Sequence, residues 1–140
     1  MNRRMVLFLI FVFIFFGTLT GEEGQITVEV SGIKKIKGQL IISLYDKPDG
    51  FPNTLDRKET VNVKVEGTTV THVFSNLPPG DYALAVIHDA NGNGKMDKHF
   101  FGLPREKYGF SNNAKAFLRA PSFKKAKFTL VDTYLAKIKI

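Results

Sequence analysis

The chain has no cysteine among its 140 residues. That excludes disulfides, thiolate metal sites and lipid attachment at a cysteine. A domain exported without disulfides must hold itself by packing, helped at most by an ion. Long hydrophobic runs are also scarce. The unbroken apolar stretch Val6 to Phe16 is eleven residues, short of the roughly 20 that a membrane-spanning helix needs. No Gly-x-Ser-x-Gly elbow appears, so no serine nucleophile is signalled. Nucleic-acid-binding motifs, internal repeats and low-complexity tracts are likewise missing.

The first twenty residues have their own logic. Arg3 and Arg4 give a positive start, Val6 to Phe16 an apolar middle, and Gly17-Thr18-Leu19-Thr20 a run that includes small residues. This is signal-peptide anatomy, with cleavage expected near Thr20. The mature chain is then one domain over residues 21–140, extracytoplasmic (periplasmic or secreted), without a transmembrane segment and expected to be a monomer. Losing the two leader arginines takes the formal charge from +7 to +5. That mild basicity does not argue for nucleic acid as a partner.

What remains is dominated by alternation. Ile26, Val28 and Val30 alternate with polar neighbours, as do Val61, Val63 and Val65, and Leu40, Ile42 and Leu44 recur at every second position. Period two is the signature of half-buried strands. Val70 to Phe74 reads as a fourth strand. Asp81 to His88 is nearly all apolar, as in a central strand covered on both faces. Phe123 to Val131 and Tyr134 to Ile140 close the chain as strands. Turn formers separate them at Ser31-Gly32, Pro48-Asp49-Gly50, Glu66-Gly67 and Pro78-Pro79-Gly80. A short helical turn fits within Lys47 to Lys58. The expected fold is all-β: an Ig-like or transthyretin-like β-sandwich of seven or eight mostly antiparallel strands. Tyr82, delivered by Pro78-Pro79-Gly80-Asp81 to the start of a buried strand, is placed to hydrogen-bond back across its corner.

Residues 90–121 lack strand pattern, and ordered excursions of that length are usually functional or tied down. The excursion opens with an oxygen-rich loop. Asp89, Asn91, Asn93 and Asp97 occupy positions one, three, five and nine of a calcium-loop pattern, with Gly94 at six. The Lys95 carbonyl supplies position seven. Calcium takes six to eight oxygens, so these residues form a candidate Ca2+ site. Phe100 stands at position twelve, where a bidentate glutamate is expected; Glu106 is the nearest downstream carboxylate. With two local carboxylates the site should be weak, with a dissociation constant of about 10⁻⁴ M. The alternative is a metal-free turn, since Asn-Gly pairs turn on their own and Asp89 can bond backbone amides.

Other chemistry is thin. His88 ends a strand beside Asp89, with His99 and Asp97 nearby in sequence. It reads better as a strand cap bonded to a loop carbonyl than as a base or metal ligand. Adjacent His88 and Asp89 point to opposite faces of a strand, which disfavours a triad with Ser111 or Ser122. Phe100, Phe101, Leu103, Tyr108, Phe110, Phe117 and Leu118 make the excursion aromatic-rich. They either cover an open end of the sandwich or offer a stacking surface. Gly109 to Ala114 reads as a tight turn beside the oxygen-rich loop. Lys34, Lys35 and Lys37, and Lys124, Lys125 and Lys127, form two basic groups, solvated faces or contacts for an anionic glycan or lipid.

Three segments together reach a family pattern. They are Leu77-Pro-Pro-Gly-Asp-Tyr-Ala83, His88 to Asp97, and Gly102-Leu-Pro-Arg-Glu106 with Tyr108 to Ala114; Pro121-Ser122-Phe123 and Ala126 continue it. From about Ile26 to Ile140 the chain resembles the DUF2141 family of small exported bacterial proteins. The resemblance implies an extracytoplasmic domain and carries no catalytic residues, substrate or cofactor. Ala90 departs from it, standing where the family pattern has an acidic residue. The reading at this level is an exported, non-enzymatic envelope module, structural or ligand-binding, with a candidate calcium loop. The alternatives are a metal-free module that holds an envelope glycan or lipid through its aromatic loop and basic groups, and a small hydrolase or metal enzyme centred on His88.

Overall fold

The computed structural model describes residues 21–53, 56–100, 102 and 104–140. The expected leader, Phe101 and Leu103 lie outside them. Eight strands follow in order: β1 (Gly24–Ser31), β2 (Gln39–Tyr45), β3 (Glu59–Lys64), β4 (Thr69–Leu77), β5 (Gly80–Asp89), β6 (Tyr108–Phe110), β7 (Phe128–Leu130) and β8 (Thr133–Lys139). One helical turn, α1 (Phe123–Ala126), precedes β7. One sheet has the order β4-β1-β8; the other runs β3-β2-β5-β6, with β7 also paired to β5. The pairing of β1 with β8 is parallel and the other strand pairings are antiparallel. This is the two-sheet β-sandwich that the alternation predicts.

The core lies between the sheets. Ile26, Val28 and Val30 of β1, Phe74 of β4 and Ile138 of β8 meet Leu40, Ile42 and Leu44 of β2 and Leu84 and Val86 of β5. Register makes this possible: Leu44 sits opposite Leu84 and Ile42 opposite Val86, so both strands point their large residues inward at the same levels. Each such side chain taken out of water stabilises the fold by roughly 1.5–3 kcal/mol.

The outer face of β5 is covered too. Ala83 and Ala85 are small, which lets Phe110, Phe123 and Ala126 lie close over them, with Tyr45 beside. Phe51 makes edge-to-face contacts with Tyr45, Phe110 and Phe123. Part of the aromatic segment therefore covers a sheet face rather than an open end. Phe100, Phe117 and Leu118 are exposed.

Several local expectations change. Phe123 to Ala126 is a helical turn, not strand, and the strand is confined to Phe128–Leu130. Phe123 and Ala126, three apart, both face the small outer cluster while Lys124 and Lys125 face water, a spacing one turn satisfies and a strand does not. The described part of Lys47 to Lys58 forms turns and bends rather than a helix. The Gly109 to Ala114 turn bonds elsewhere than expected. Asn113 takes the Lys139 N–H at 2.9 Å, and Asn112 donates to the Lys127 carbonyl at 2.8 Å, so the turn pins β8 and the end of α1. Among the described residues no helix is long and apolar enough to cross a membrane.

The corner tyrosine behaves as its position predicts. Tyr82 is buried and its hydroxyl donates to the Pro78 carbonyl at 2.7 Å. Tyr82→Phe is expected to lower unfolding free energy by about 1 kcal/mol, the net worth of one hydrogen bond. Urea unfolding should show this as a lower midpoint at unchanged slope.

Candidate functional site

The site is built where β5 ends. Asp89 is 0 % exposed. A buried carboxylate is costly unless its oxygens are hydrogen-bonded. Gln39 Nε2 donates to Oδ2 at 2.8 Å, the Gly94 N–H to Oδ2 at 2.7 Å and the Asn93 N–H to Oδ1 at 3.1 Å. Gln39 is opposite Asp89 in the β2–β5 register, so the sheet itself supplies that donor. Burial pushes the Asp89 carboxyl up. The bonds from Gln39 and from the Gly94, Asn93 and Gly92 amides outweigh it and hold the group below the usual carboxylate range.

Curling round Asp89 brings the other predicted residues together. Asn91 donates to Asp97 Oδ2 at 2.5 Å and Asn93 to Asp97 Oδ1 at 2.9 Å. Asn91 Oδ1 accepts the Asn93 N–H, and Asn93 Oδ1 accepts the Lys95 N–H at 3.0 Å. Gly92 and Gly94 hold φ of +72° and +76°, which the tight curl requires. Glu106, nine residues beyond Asp97, returns to accept the Asp97 N–H at 3.1 Å, and the Arg105 N–H bonds the Asp97 carbonyl at 2.8 Å. Lys98 and Pro104 pair across the tip of the excursion. All five residues assigned to the loop thus lie within one hydrogen-bonded unit, joined by a carboxylate from outside it.

The donor set is chemically suited to a hard cation. Asp89, Asn91, Asn93, Asp97 and the Lys95 carbonyl are all oxygen donors, and Glu106 stands beside them. Two features weigh against it. Asp89 is already engaged by amides, and the asparagine nitrogens face Asp97. Among the described residues, no three His, Cys, Asp or Glu side chains are grouped to hold a metal.

His88 is 4 % exposed, and its Nε2 lies 2.9 Å from the Lys37 carbonyl. A carbonyl can only accept, so Nε2 carries the proton. This is the strand cap expected of it. The contact needs the turn 32–38 to lie against β5. Gly38 permits that approach: it sits at φ +69°, and a β-carbon there would meet the Asp89 carbonyl and come 2.7 Å from Ala90 Cα. Ser111 is buried, its hydroxyl donating to the Ala126 carbonyl at 2.5 Å and accepting the Leu84 N–H at 2.9 Å. Both bonds tie elements together.

Several residues were not singled out by sequence reasoning. Gln39 and Gly38 position the loop and the neighbouring turn, and Arg105 and Lys107 join Lys34, Lys35 and Lys37 round a hollow of about 380 Å³ with His88 in its wall. The lysine triplet was a visible signal; its meeting with Arg105 and Lys107 was not.

Two outcomes follow. Asp89 is held below its unfolded value, so it stabilises the fold fully above the ordinary carboxylate pKa of about 3.9. That contribution is lost as pH falls through the lowered folded value, because the unfolded state then binds more protons. Asp89→Asn should therefore flatten the fall in melting temperature between neutral and acid pH relative to wild type, on top of a lower value at neutral pH. Gly38→Ala, strained in φ and short of space, should destabilise by more than about 1 kcal/mol in chemical denaturation.

No match was found among the curated proteins or the solved structures. A family model described as an uncharacterized protein conserved in bacteria matches residues 28–137, which span the sandwich, the oxygen-rich loop and the hollow beside it, and the chain belongs to that family, DUF2141.

Proposed function

We propose that the protein is an exported, non-enzymatic binding module of the bacterial cell envelope, and that its Asp89–Asp97 loop takes a weakly held calcium ion. The observation that supports this reading is the gathering of Asp89, Asn91, Asn93, Lys95 and Asp97 into one tightly curled loop, with Glu106 brought beside it. Asp89, Asn91, Asn93 and Asp97 would hold the ion with the Lys95 carbonyl. A bound calcium would supply a fixed positive centre that locks the loop. The leader-like start supports export, and the hydroxyl of Ser111 is engaged by the fold rather than offered to a substrate.

A second reading rests on Asp89 itself. Its carboxylate is satisfied by Gln39, Asn93 and Gly94 without an ion. In that case the loop is a metal-free scaffold, and the basic and aromatic groups beside it hold an envelope glycan or lipid.

Calcium titration separates the two. At free calcium 100 times the dissociation constant, binding adds about 2.7 kcal/mol to stability. The expected result is a melting temperature that rises by several degrees in millimolar calcium, and a rise lost in Asp97→Ala. Asp97 is the informative position because Asp89 organises the loop whether or not an ion is present. An equal rise in wild type and Asp97→Ala, or none in either, would leave the metal-free reading.

A further inference from the structure

We propose that the hollow beside the oxygen-rich loop is an anion site, shaped for a small molecule that carries a phosphate group. The inference does not depend on calcium; it names a ligand chemistry for a different surface of the same end of the sandwich. Lys34, Lys35 and Lys37 enter from the turn between β1 and β2. Arg105 and Lys107 enter from the segment that leads into β6. Five cations from two segments about seventy residues apart thus line one concavity of about 380 Å³, a volume in the range of small-ligand sites.

Crowding like charges costs Coulomb energy unless counter-charges are near. The two carboxylates in the wall do not serve the cations as partners. Asp97 is bracketed by the Asn91 and Asn93 amides, and Glu106 accepts the Asp97 N–H. Among the described residues none of the five cations is in an ion pair, whereas Lys58, Lys64 and Lys127 each are. The wall therefore carries a net charge of three, open to water and unmatched from within.

A multiply charged anion suits that excess better than a carboxylate with one charge. Lysine ammoniums act as point charges toward phosphate, and an arginine adds a bidentate fork. The frame is also fixed. Lys37 is held through its carbonyl by buried His88, and Gly38 seats the lysine turn against β5. Val65 N–H to the Gly38 carbonyl and Ile33 N–H to the Thr68 carbonyl hold the turn at both ends. Pre-formed walls lower the entropic cost of capturing a ligand.

The test uses the full chain, expressed with its leader, purified and kept in metal-stripped buffer so that calcium plays no part. Titration calorimetry with inorganic phosphate, glucose 1-phosphate and glucuronate compares the anions, and flotation with phosphatidylcholine vesicles containing phosphatidate tests a lipid source. Glucose 1-phosphate should bind, and glucuronate should bind about tenfold more weakly or worse. The double variant Lys35→Ala/Arg105→Ala should lose about tenfold or more in affinity, while Lys124→Ala/Lys125→Ala, outside the hollow, should not change it. Vesicle capture that fails in the same variant, without binding of soluble phosphates, would support the same site with a lipid headgroup as its ligand. Amide shift mapping on wild type, which needs no variant to fold, should move Lys35, Lys37, Arg105 and Lys107. No binding of any phosphate source, equal loss in both double variants, or glucuronate binding as tightly as glucose 1-phosphate would overturn the assignment.

Discussion

A carboxylate withdrawn from water needs its hydrogen bonds returned from somewhere, and at the end of β5 Asp89 takes them from the chain that follows it. The Asn93 and Gly94 amides can reach the buried oxygens only if the backbone curls tightly, and Gln39 reaches them only if β2 and β5 hold their register. One buried charge thereby couples the sheet to the loop. From that curl follow the meeting of Asn91 and Asn93 with Asp97, the return of Glu106 to the Asp97 amide, and the delivery of the chain into β6.

The same coupling explains why the end of the sandwich that carries the candidate site is tied together by hydrogen bonds although it is largely loop. Loops that carry binding groups need an ordered support beneath them. Here the support is a strand covered on both faces. Leu84 and Val86 face the main core while Ala83 and Ala85 carry Phe110 and Phe123 on the other side. Gly109 lets β6 close against β8, since a β-carbon there would lie 2.7 Å from Ile138 Cγ2. Asn113 then ties the edge of β8 through Lys139. The excursion leaves β5 and returns beside it with both ends anchored.

Two kinds of chemistry share this end of the molecule. The loop gathers oxygens, and the hollow beside it gathers cations. Their proximity sets a balance: the five positive side chains make the neighbourhood less welcoming to a dication and more welcoming to an anion. An anion seated in the hollow would offset that repulsion, so each ligand would favour the other through the shared wall of Asn91, Asp97 and Glu106.

Much of the fold was legible in the residues themselves. Alternation marked β1, β2, β3 and β8, the nearly unbroken apolar run marked β5 as doubly covered, and Pro78-Pro79-Gly80 delivered Tyr82 to its corner, because these signals are local and repeat at the period of a strand. The Phe123 to Ala126 turn was hidden because four residues are too few to separate one period from another. The oxygen pattern named Asp89, Asn91, Asn93, Lys95 and Asp97 as a group, since spacing within a tight loop nearly dictates proximity. Spacing did not say that Asp89 would be buried and met by Gln39, nor that Glu106 would come back. Least visible was the meeting of Lys34, Lys35 and Lys37 with Arg105 and Lys107. Contacts between loops are set by how sheets stack and strands register, and that is a property of the packed whole which no single stretch of sequence contains.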